Sequence, residues 1–551
     1  MAKVEFDEQF VDRDFSANEQ TTDWTPFPLG YGILLNERYQ FPVDMALARM
    51  KLDASRQLFV DNHVIAHMQG VTRRMHSAKD HPANPIFEPY AHYAMFICPD
   101  DEHGYRMYYN SRGNLLHVAY SRDGIAWDLP ALNLVNDWGD PQRFPGGPNN
   151  VVGESELHGL FYEPHERDPD RRWKAIVKGS AKPPRHQPWP YLPPATDGPA
   201  RKAGTPYLLH VSPNGYRWRF ESETNHWIGP SCDAVMPDQP ALGGGDVFRA
   251  RWDPKLGKYI GNTKHRIGPD YRLSPVFNAA RVVGQVESDD LIHWSSPRIY
   301  AYPDTEDAKA PRKSMHGIYE ADGFPYESMW FNCFSMSYYM PATEEDKKRD
   351  RLMTSRPYVK RNHIRLAASR DGRHWHYLGD RGPFINWGDA GSWKQSGIRM
   401  TNRATVGGPI VKQDELWFYY RGSTMVGAKA EWRLGTGLAT LRRDGFASLD
   451  AGDEAGLVIT RPFIFTGEGR LFVNARVQAG GELRAAVVEE DTAEPIEHFK
   501  IEDSVPFTGD ATRHPMRWRQ RDSLTPFREQ KRYVRIAFHL RQAMLFAFWV
   551  E

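Results

Sequence analysis

The chain has no surplus of charge of either sign. Its 551 residues include 70 Lys plus Arg and 70 Asp plus Glu, so the formal net charge is zero. Proteins that bind nucleic acid or an anionic membrane through their overall field carry a basic excess. We therefore expect neither nucleic acid nor a membrane among the partners of this chain.

Cysteine is scarce as well. The three cysteines, Cys98, Cys232 and Cys333, are far apart and lie inside apolar strand patterns. An odd number at such distances predicts buried free thiols without a disulfide, and no metal-type cysteine spacing occurs. We expect no cofactor, and no metal among the site residues.

Long hydrophobic runs are also missing. No stretch of 18 apolar residues occurs, and the first residues, MAKVEFDE, contain no apolar segment of the kind found in secretory signals. This predicts a cytoplasmic protein. Residues 1–57 are polar and aromatic with little periodicity, and we interpret them as an arm that wraps either the main body or a neighbouring subunit. The second alternative would give a homo-oligomer.

Aromatic residues, in contrast, are plentiful at 13% of the chain, and one aromatic phrase repeats. Its form is Ser, any residue, Asp or Asn, Gly, two more residues, then Trp. It stands as SRDGIAW at 121, SPNGYRW at 212 and SRDGRHW at 369, as SDDLIHW at 288 with Leu291 in place of Gly, and as a shortened copy, RRDGF, at 442. The spacings of 91, 76, 81 and 73 residues indicate repeated structural units.

Each copy follows an apolar run and supplies turn residues, because Asp, Asn and Gly tolerate positive φ. The pattern predicts a β-hairpin, and one hairpin per roughly 80 residues fits a four-stranded propeller blade. We therefore interpret the phrase as a structural turn rather than a site. The prediction is an all-β chain with a five-bladed β-propeller over 58–459, in which the five turns occupy equivalent positions. Alternating strands over 460–551 predict a C-terminal β-sandwich.

A five-bladed propeller followed by a β-sandwich resembles glycoside hydrolase family 32 and its five-bladed relatives, including family 43. The phrase at 288–294 carries the resemblance, and the strand LFVD at 58–61 is similar to an uncharacterised branch. The resemblance implies an enzyme without a cofactor that cleaves a glycosidic bond, including furanosidic bonds of fructose or arabinose type. A small-molecule or oligosaccharide substrate follows from it.

The catalytic motifs of that family are mostly absent. No Trp-x-Asn-Asp-Pro-Asn-Gly occurs, and no Glu precedes any cysteine. The family's Arg-Asp-Pro is present at 167–169, but it lies in a charged turn ahead of a strand. The catalytic residues must therefore be sought from propeller geometry.

In a propeller the innermost strand of each blade lines the axis, so acids near its start lie close together and partly desolvated. Candidate positions are His158, Asp246 and Glu320, and Asp61 precedes the first blade. Glu320, Asp322 and Glu327 share one apolar and aromatic stretch. The alternative for each acid is an ion pair with an arginine such as Arg281 or Arg399.

The sequence thus predicts a glycosidase in which one carboxyl donates a proton and another attacks or activates water. Glu320 is the predicted acid, and Asp246 or Asp61 the predicted nucleophile or base. A non-catalytic sugar-binding propeller, or a lyase or transglycosylase on the same scaffold, remain as alternatives. The residues expected to contact substrate or tune these groups are His158, Asp322, Arg281, Glu327 and Arg399.

Overall fold

The molecule is built almost wholly of β-strands. Strands account for 58% of the computed structural model and helix for 2%, which confirms the all-β prediction. Helix α1 spans Thr525–Glu529 and a 3-10 turn spans Pro169–Arg171. No helix in the described part of the chain is long and apolar enough to cross a membrane. The structure describes residues 49–88, 93–110, 115–134, 150–154, 156–178, 205–228, 235–236, 239–267, 280–303, 314–341, 358–389, 391–424 and 433–551.

Five short strands at the start of the described chain pair with strands far away in sequence. The first four join the sheet formed by the C-terminal part of the chain, and the fifth joins the last propeller unit. These strands are β1 (Met50–Leu52), β2 (Gln57–Leu58), β3 (Ile65–Gln69), β4 (Thr72–Met75) and β5 (Lys79–Asp80).

Most other strands form antiparallel units of four, which is the blade pattern of a β-propeller. The described residues contain five such units, while the blade count of the whole chain stays a prediction. The first three units consist of β6 (Tyr93–Asp100), β7 (Gly104–Asn110), β8 (Leu115–Ser121) and β9 (Val151–Glu154); β10 (Leu157–Tyr162), β11 (Trp173–Lys178), β12 (Thr205–Ser212) and β13 (Arg219–Ile228); and β15 (Gln239–Asp253), β16 (Lys258–Ile267), β17 (Ala280–Ser288) and β18 (Arg298–Ala301), with β14 (Val235–Met236) beside β15.

The fifth unit shows how the ring closes. Strand β5 forms the fourth strand of this unit, pairing at Asp80 with Ala439. Its first strand begins at Gly397. The last two units consist of β19 (Ser314–Tyr326), β20 (Met329–Pro341), β21 (Tyr358–Ser369) and β22 (His376–Tyr377); and β23 (Gly397–Met400), β26 (Glu415–Thr424), β27 (Arg433–Arg442) and β5, with β24 (Asn402–Arg403) and β25 (Ile410–Lys412) as short additions.

The repeated phrase forms the same turn in four units, always directly after the third strand. At 369–375, Ser369 Oγ accepts the N–H of Gly372 (2.9 Å) and Asp371 Oδ1 accepts the N–H of His374 (2.8 Å). The copies at 121, 212 and 288 make the equivalent bonds. The residue after the acid or amide has positive φ in all four, including Leu291 (φ 68°), where the others have Gly. The interpretation as a structural turn is confirmed.

The shortened copy at 442 also follows a third strand but has a different role. Asp444 is fully buried and forms an ion pair with Arg56. It also accepts hydrogen bonds from the Tyr326 hydroxyl (2.7 Å) and from Asn474 Nδ2 (2.8 Å). Arg56 and Asn474 belong to or adjoin the C-terminal sheet, so this turn joins that sheet to the propeller.

A segment at 401–408, here called the axial segment, crosses from the fifth unit to the others. Strand β24 within it pairs in parallel with β6, which links the last unit to the first. Backbone hydrogen bonds connect the segment to β6 once more and to two further strands, β10 and β15. These bonds run from Ala404 N to Ile97 O (2.9 Å), from Thr405 N to Leu160 O (2.7 Å) and from Trp252 N to Thr405 O (2.6 Å).

The C-terminal part of the chain forms one hydrogen-bonded sheet of ten strands. The sheet includes β1–β4 and residues 447–460, so it extends across the predicted limits at 57/58 and 459/460. The division into three domains and the β-sandwich stay predictions. The remaining strands of the sheet are β28 (Ala447–Ala451), β29 (Gly456–Thr460), β30 (Phe463–Phe465), β31 (Leu471–Glu489), β32 (Asp510–Pro515) and β33 (Val534–Val550).

The sheet packs on the fourth and fifth units. Leu58 and Ala547 of the sheet share one buried cluster with Phe331 of β20 and Phe418 of β26. Two of the cysteines lie in described strands, Cys98 on β6 and Cys333 on β20, and both are buried free thiols as predicted. Cys232 lies outside the described residues.

Candidate active site

A buried carboxylate on β19 is held by three arginines. Glu320 is 2% exposed. Both of its oxygens accept from Arg421 Nη2 (2.8 and 3.0 Å), and its Oε1 also lies 3.2 Å from Arg249 Nη2 and 3.4 Å from Arg399 Nη1. Burial alone would raise the pKa of Glu320, but the three guanidinium groups outweigh it and hold that pKa well below its ordinary value. Glu320 is therefore ionised, contrary to its predicted role as the proton donor.

Two residues further along the same strand, the pKa of Asp322 is displaced in the opposite direction. Its Oδ1 accepts a hydrogen bond from Asn402 Nδ2 of the axial segment (2.6 Å). Its Oδ2 is buried and has no hydrogen-bond partner in the described part of the chain. Burial raises the pKa of Asp322 to about 6, and the charge of Glu320 adds to that effect. Of the two acids, Asp322 is therefore the one that takes up a proton as the pH falls through about 6, while Glu320 stays ionised.

A third acid, Glu156, was not predicted from the sequence. It directly precedes β10 and is half-buried. Burial would raise the pKa of Glu156, but His158, Arg249 and Arg421 keep it below its ordinary value. Both arginines also bind Glu320. Glu156, from the second unit, therefore adds an ionised carboxylate to the same cluster. The alternation of Glu154, Glu156 and His158 ahead of and within a strand was the available sequence signal.

The predicted His158 lies in this cluster too. Its Nδ1 is 2.9 Å from the carbonyl oxygen of Phe248, which fixes the proton on Nδ1, and its Nε2 has no partner in the described structure. Burial lowers the pKa of His158 to about 4. The imidazole is therefore neutral at neutral pH and presents a lone pair at Nε2.

Three cations surround the ring of Tyr319, the residue before Glu320. Arg399 Cζ lies 4.0 Å from the ring centroid, Lys264 Nζ 4.5 Å and Arg281 Cζ 5.4 Å. Arg281 reaches this position because β17 approaches β19 closely at Gly317, where an added Cβ would lie 2.3 Å from the Arg281 carbonyl oxygen. Two predicted residues, Arg281 and Arg399, thus belong to the same site as Glu320.

Asp61 does not join this cluster. It follows β2 of the C-terminal sheet and forms a two-pronged ion pair with Arg370, at 2.5 Å and 2.7 Å. Burial would raise the pKa of Asp61, but Arg370 lowers it to about 2. Arg370 belongs to the repeated turn of the fourth unit, so Asp61 fastens the C-terminal sheet to that turn. Its burial is explained by this ion pair rather than by the predicted role as nucleophile or base.

Glu327 also lies elsewhere. It follows the end of β19, seven residues beyond Glu320, which corresponds to roughly 20 Å along an extended strand. Its carboxylate lies near Arg56 and Arg443, 3.9 and 3.8 Å away, at the contact with the C-terminal sheet. The sequence predicted that Glu327 contacts the substrate. In the structure it lies too far along the strand to reach a ligand beside Glu320.

Asp246 lies on β15, the strand that also carries Arg249, and the placement of its side chain is outside the described structure. Among the described residues, no group of three or more His, Cys, Asp or Glu side chains is arranged to hold a metal ion. The cluster brings together Asp322 with a raised pKa, the ionised Glu320 and Glu156, the neutral His158 and several cationic side chains.

No protein-family model matches the chain, and no curated protein matches it. Among solved structures, it is similar to an N-acetylgalactosamine deacetylase from F. plautii in complex with blood group B trisaccharide (13% identity, 69% of this chain and 97% of the other, TM-score 0.37). It is also similar to a β-1,2-mannobiose phosphorylase from Listeria innocua (12%, 66% and 96%, TM-score 0.33) and a glycosyl hydrolase from Bacteroides ovatus (12%, 67% and 94%, TM-score 0.31). At these TM-scores the similarity carries no argument about activity.

Proposed function

We propose that the cluster around β19 binds a sugar and catalyses cleavage of its glycosidic bond. Asp322 would donate a proton to the leaving oxygen, and Glu156 would act as nucleophile or activate water. A furanoside is the first substrate class to test. The proposal rests on one observation above others: carboxyls of one cluster have pKa values displaced in opposite directions. Such divergence assigns acid and base roles to a pair of carboxyl groups.

The individual environments support these roles. Asp322 has one oxygen without a hydrogen-bond partner among the described residues, so a proton on it would be available for transfer. Glu156 is half-buried and ionised, and it is the more accessible of the two ionised acids. Glu320, with both oxygens bound by Arg421, would hold the arginines in position and would not react itself.

The test is turnover on a panel of aryl glycosides that includes furanosides. Asp322→Asn keeps the shape and the acceptor for Asn402 but cannot donate a proton, so we expect a loss of about 10²-fold or more in kcat. Asp289→Asn is the matched control, because Asp289 is exposed and its described ion pair is with Lys258. Wild-type turnover in a well-folded Asp322→Asn protein would remove Asp322 from the mechanism.

A second candidate, sugar binding without catalysis, is favoured by the complete pairing of Glu320. A carboxylate bound by three arginines is typical of a structural ion cluster. Calorimetric titration with the same sugars separates the two candidates. Binding by a wild-type protein that turns over no member of the panel would favour the binding module.

A further inference from the structure

Three cations lie around the ring of Tyr319, and Arg281 is the one whose donors are described in full. Glu320 is the described acid that reaches Arg399, and it is also bound by Arg249 and Arg421. Arg281 has no ion pair with any described acid. The rim of the cluster therefore has positive charge that no described carboxylate neutralises.

Arg281 is the most informative member of this rim. It is 9% exposed, yet its Nε and Nη1 are buried without hydrogen-bond partners in the described structure. Burying a guanidinium group without satisfying its donors is costly. The Tyr319 ring offers a favourable electrostatic surface but accepts no hydrogen bond in the plane of the guanidinium. Among the described residues, no acceptor with negative charge meets these two donors.

The guanidinium fork determines which acceptor fits. Nε and Nη1 lie on different edges of the guanidinium group, and each shares its edge with Nη2, so either edge presents two parallel N–H groups to the oxygens of a carboxylate, sulfate or phosphate. Lys264 and Arg399 add charge on the same tyrosine ring. A neutral sugar hydroxyl would satisfy one donor and leave the charge unpaired. The geometry therefore favours an oxyanion over a hydroxyl.

We propose that Arg281, Lys264 and Arg399 form an oxyanion site beside Tyr319, next to the acids of the cluster. The oxyanion is either a substituent of the sugar, such as the carboxylate of a uronic acid, or free inorganic phosphate. The first source rests on the proposed function, since it makes the substrate an acidic sugar. The second needs only the site itself.

Calorimetric titration of the whole protein with three probes tests the site and separates the sources. The probes are inorganic phosphate, methyl glucuronoside and methyl glucoside. Tighter binding of the glucuronoside than of the glucoside identifies a substituent of the sugar, and binding of phosphate identifies a free oxyanion. Either anion should bind more weakly as salt is raised, because the interaction is between charges.

Arg281→Gln should weaken binding of the preferred anion by about tenfold or more, because it removes the charge and the fork. Arg281→Lys keeps the charge without the fork and should lie between this variant and the wild type. Arg298→Gln is the control, since Arg298 lies on β18 of the same unit and bonds to Gln285 and to the Arg373 carbonyl. A thermal melt of each variant establishes that it is folded.

Two results would overturn the site: no anion binding by the wild-type protein at millimolar concentration, or equal binding by Arg281→Gln and wild type. The readout does not depend on turnover. Arg281-dependent anion binding in a protein without glycosidase activity would leave the oxyanion site standing and end the proposed function. Glycosidase activity in a protein that shows no Arg281-dependent anion binding would end the oxyanion site and leave the proposed function standing.

Discussion

Replacing Glu320 with Gln should destabilise the folded protein strongly. The substitution removes the negative charge that faces three arginines and leaves one acceptor oxygen in place of two. The Arg249 and Arg421 side chains are only 5% and 7% exposed, so neither can regain water. Breaking a buried ion pair from one side costs about 3–5 kcal/mol, because a buried charge is left uncompensated.

The cost should stay within that range although three arginines are involved. The Arg399 side chain is 32% exposed and can turn towards solvent, where loss of a pair costs at most about 1 kcal/mol. Two buried cations therefore dominate. With roughly 2.1 cal/mol/K of unfolding entropy per residue over a cooperative unit of about 400 residues, 3–5 kcal/mol lowers Tm by about 4–6 °C.

Differential scanning calorimetry at neutral pH measures this shift, with Glu287→Gln as the control. Glu287 pairs with Arg373 at 3.2 Å, but both side chains are substantially exposed, so its loss should cost at most about 1 kcal/mol. The Glu320 effect should diminish in acid, because a group with a lowered folded pKa contributes stability above its unfolded pKa of about 4.3 and loses it below.

A double variant examines the cause. If the damage comes from an uncompensated cation, Glu320→Gln combined with Arg421→Met should be less destabilised than the sum of the single variants. Strictly additive effects, or a Glu320→Gln protein as stable as the wild type, would refute the reasoning from buried charge.

Two further predictions concern stability at single positions. Asp322→Asn should stabilise the protein by about 3 kcal/mol near pH 8 but not near pH 4. The reason is the raised pKa of Asp322, which means that its ionisation between about pH 4 and 6 opposes folding. Urea unfolding at both pH values checks this, and equal effects at the two pH values would contradict it. Leu291→Gly relieves a positive φ worth about 1 kcal/mol, yet Leu291 is fully buried against Phe248 and Trp294, and large-to-small core changes cost about 2–5 kcal/mol. We expect a net loss of about 1–3 kcal/mol in the same urea experiment, and a stabilised variant would show that backbone strain outweighs packing.

The repeated turns could be predicted from the sequence because their cause is local. Ser369, Asp371 and Gly372 bond to each other within four residues, so the phrase itself contains the information. Their position directly after the third strand of each unit is a finding of the structure. The all-β class followed from alternation, which is also a local property.

The state of the candidate acids could not be predicted in this way, because it depends on distant residues. Glu320 meets arginines 71, 79 and 101 positions away, and Asp61 meets one 309 positions away. The sequence offered an arginine pair as an alternative for each acid without indicating which acid takes it. The addition of β1–β4 to the C-terminal sheet was missed for the same reason, since strand pairing over nearly 500 residues has no local signal.

Glu320 and Asp322 show how position along a single strand decides charge. Both are almost fully buried, and burial raises the pKa of each. Arginines from the third and fifth units converge on Glu320 and overcome that effect, whereas Asp322 meets a neutral amide from the axial segment. Ionisation of Asp322 opposes folding, whereas the charge of Glu320 is balanced by arginines. The free energy that Asp322 costs the folded protein is not required by the packing of the strand. Such costs are expected where a group is retained for its chemistry, and this is the physical reason for assigning the proton to Asp322.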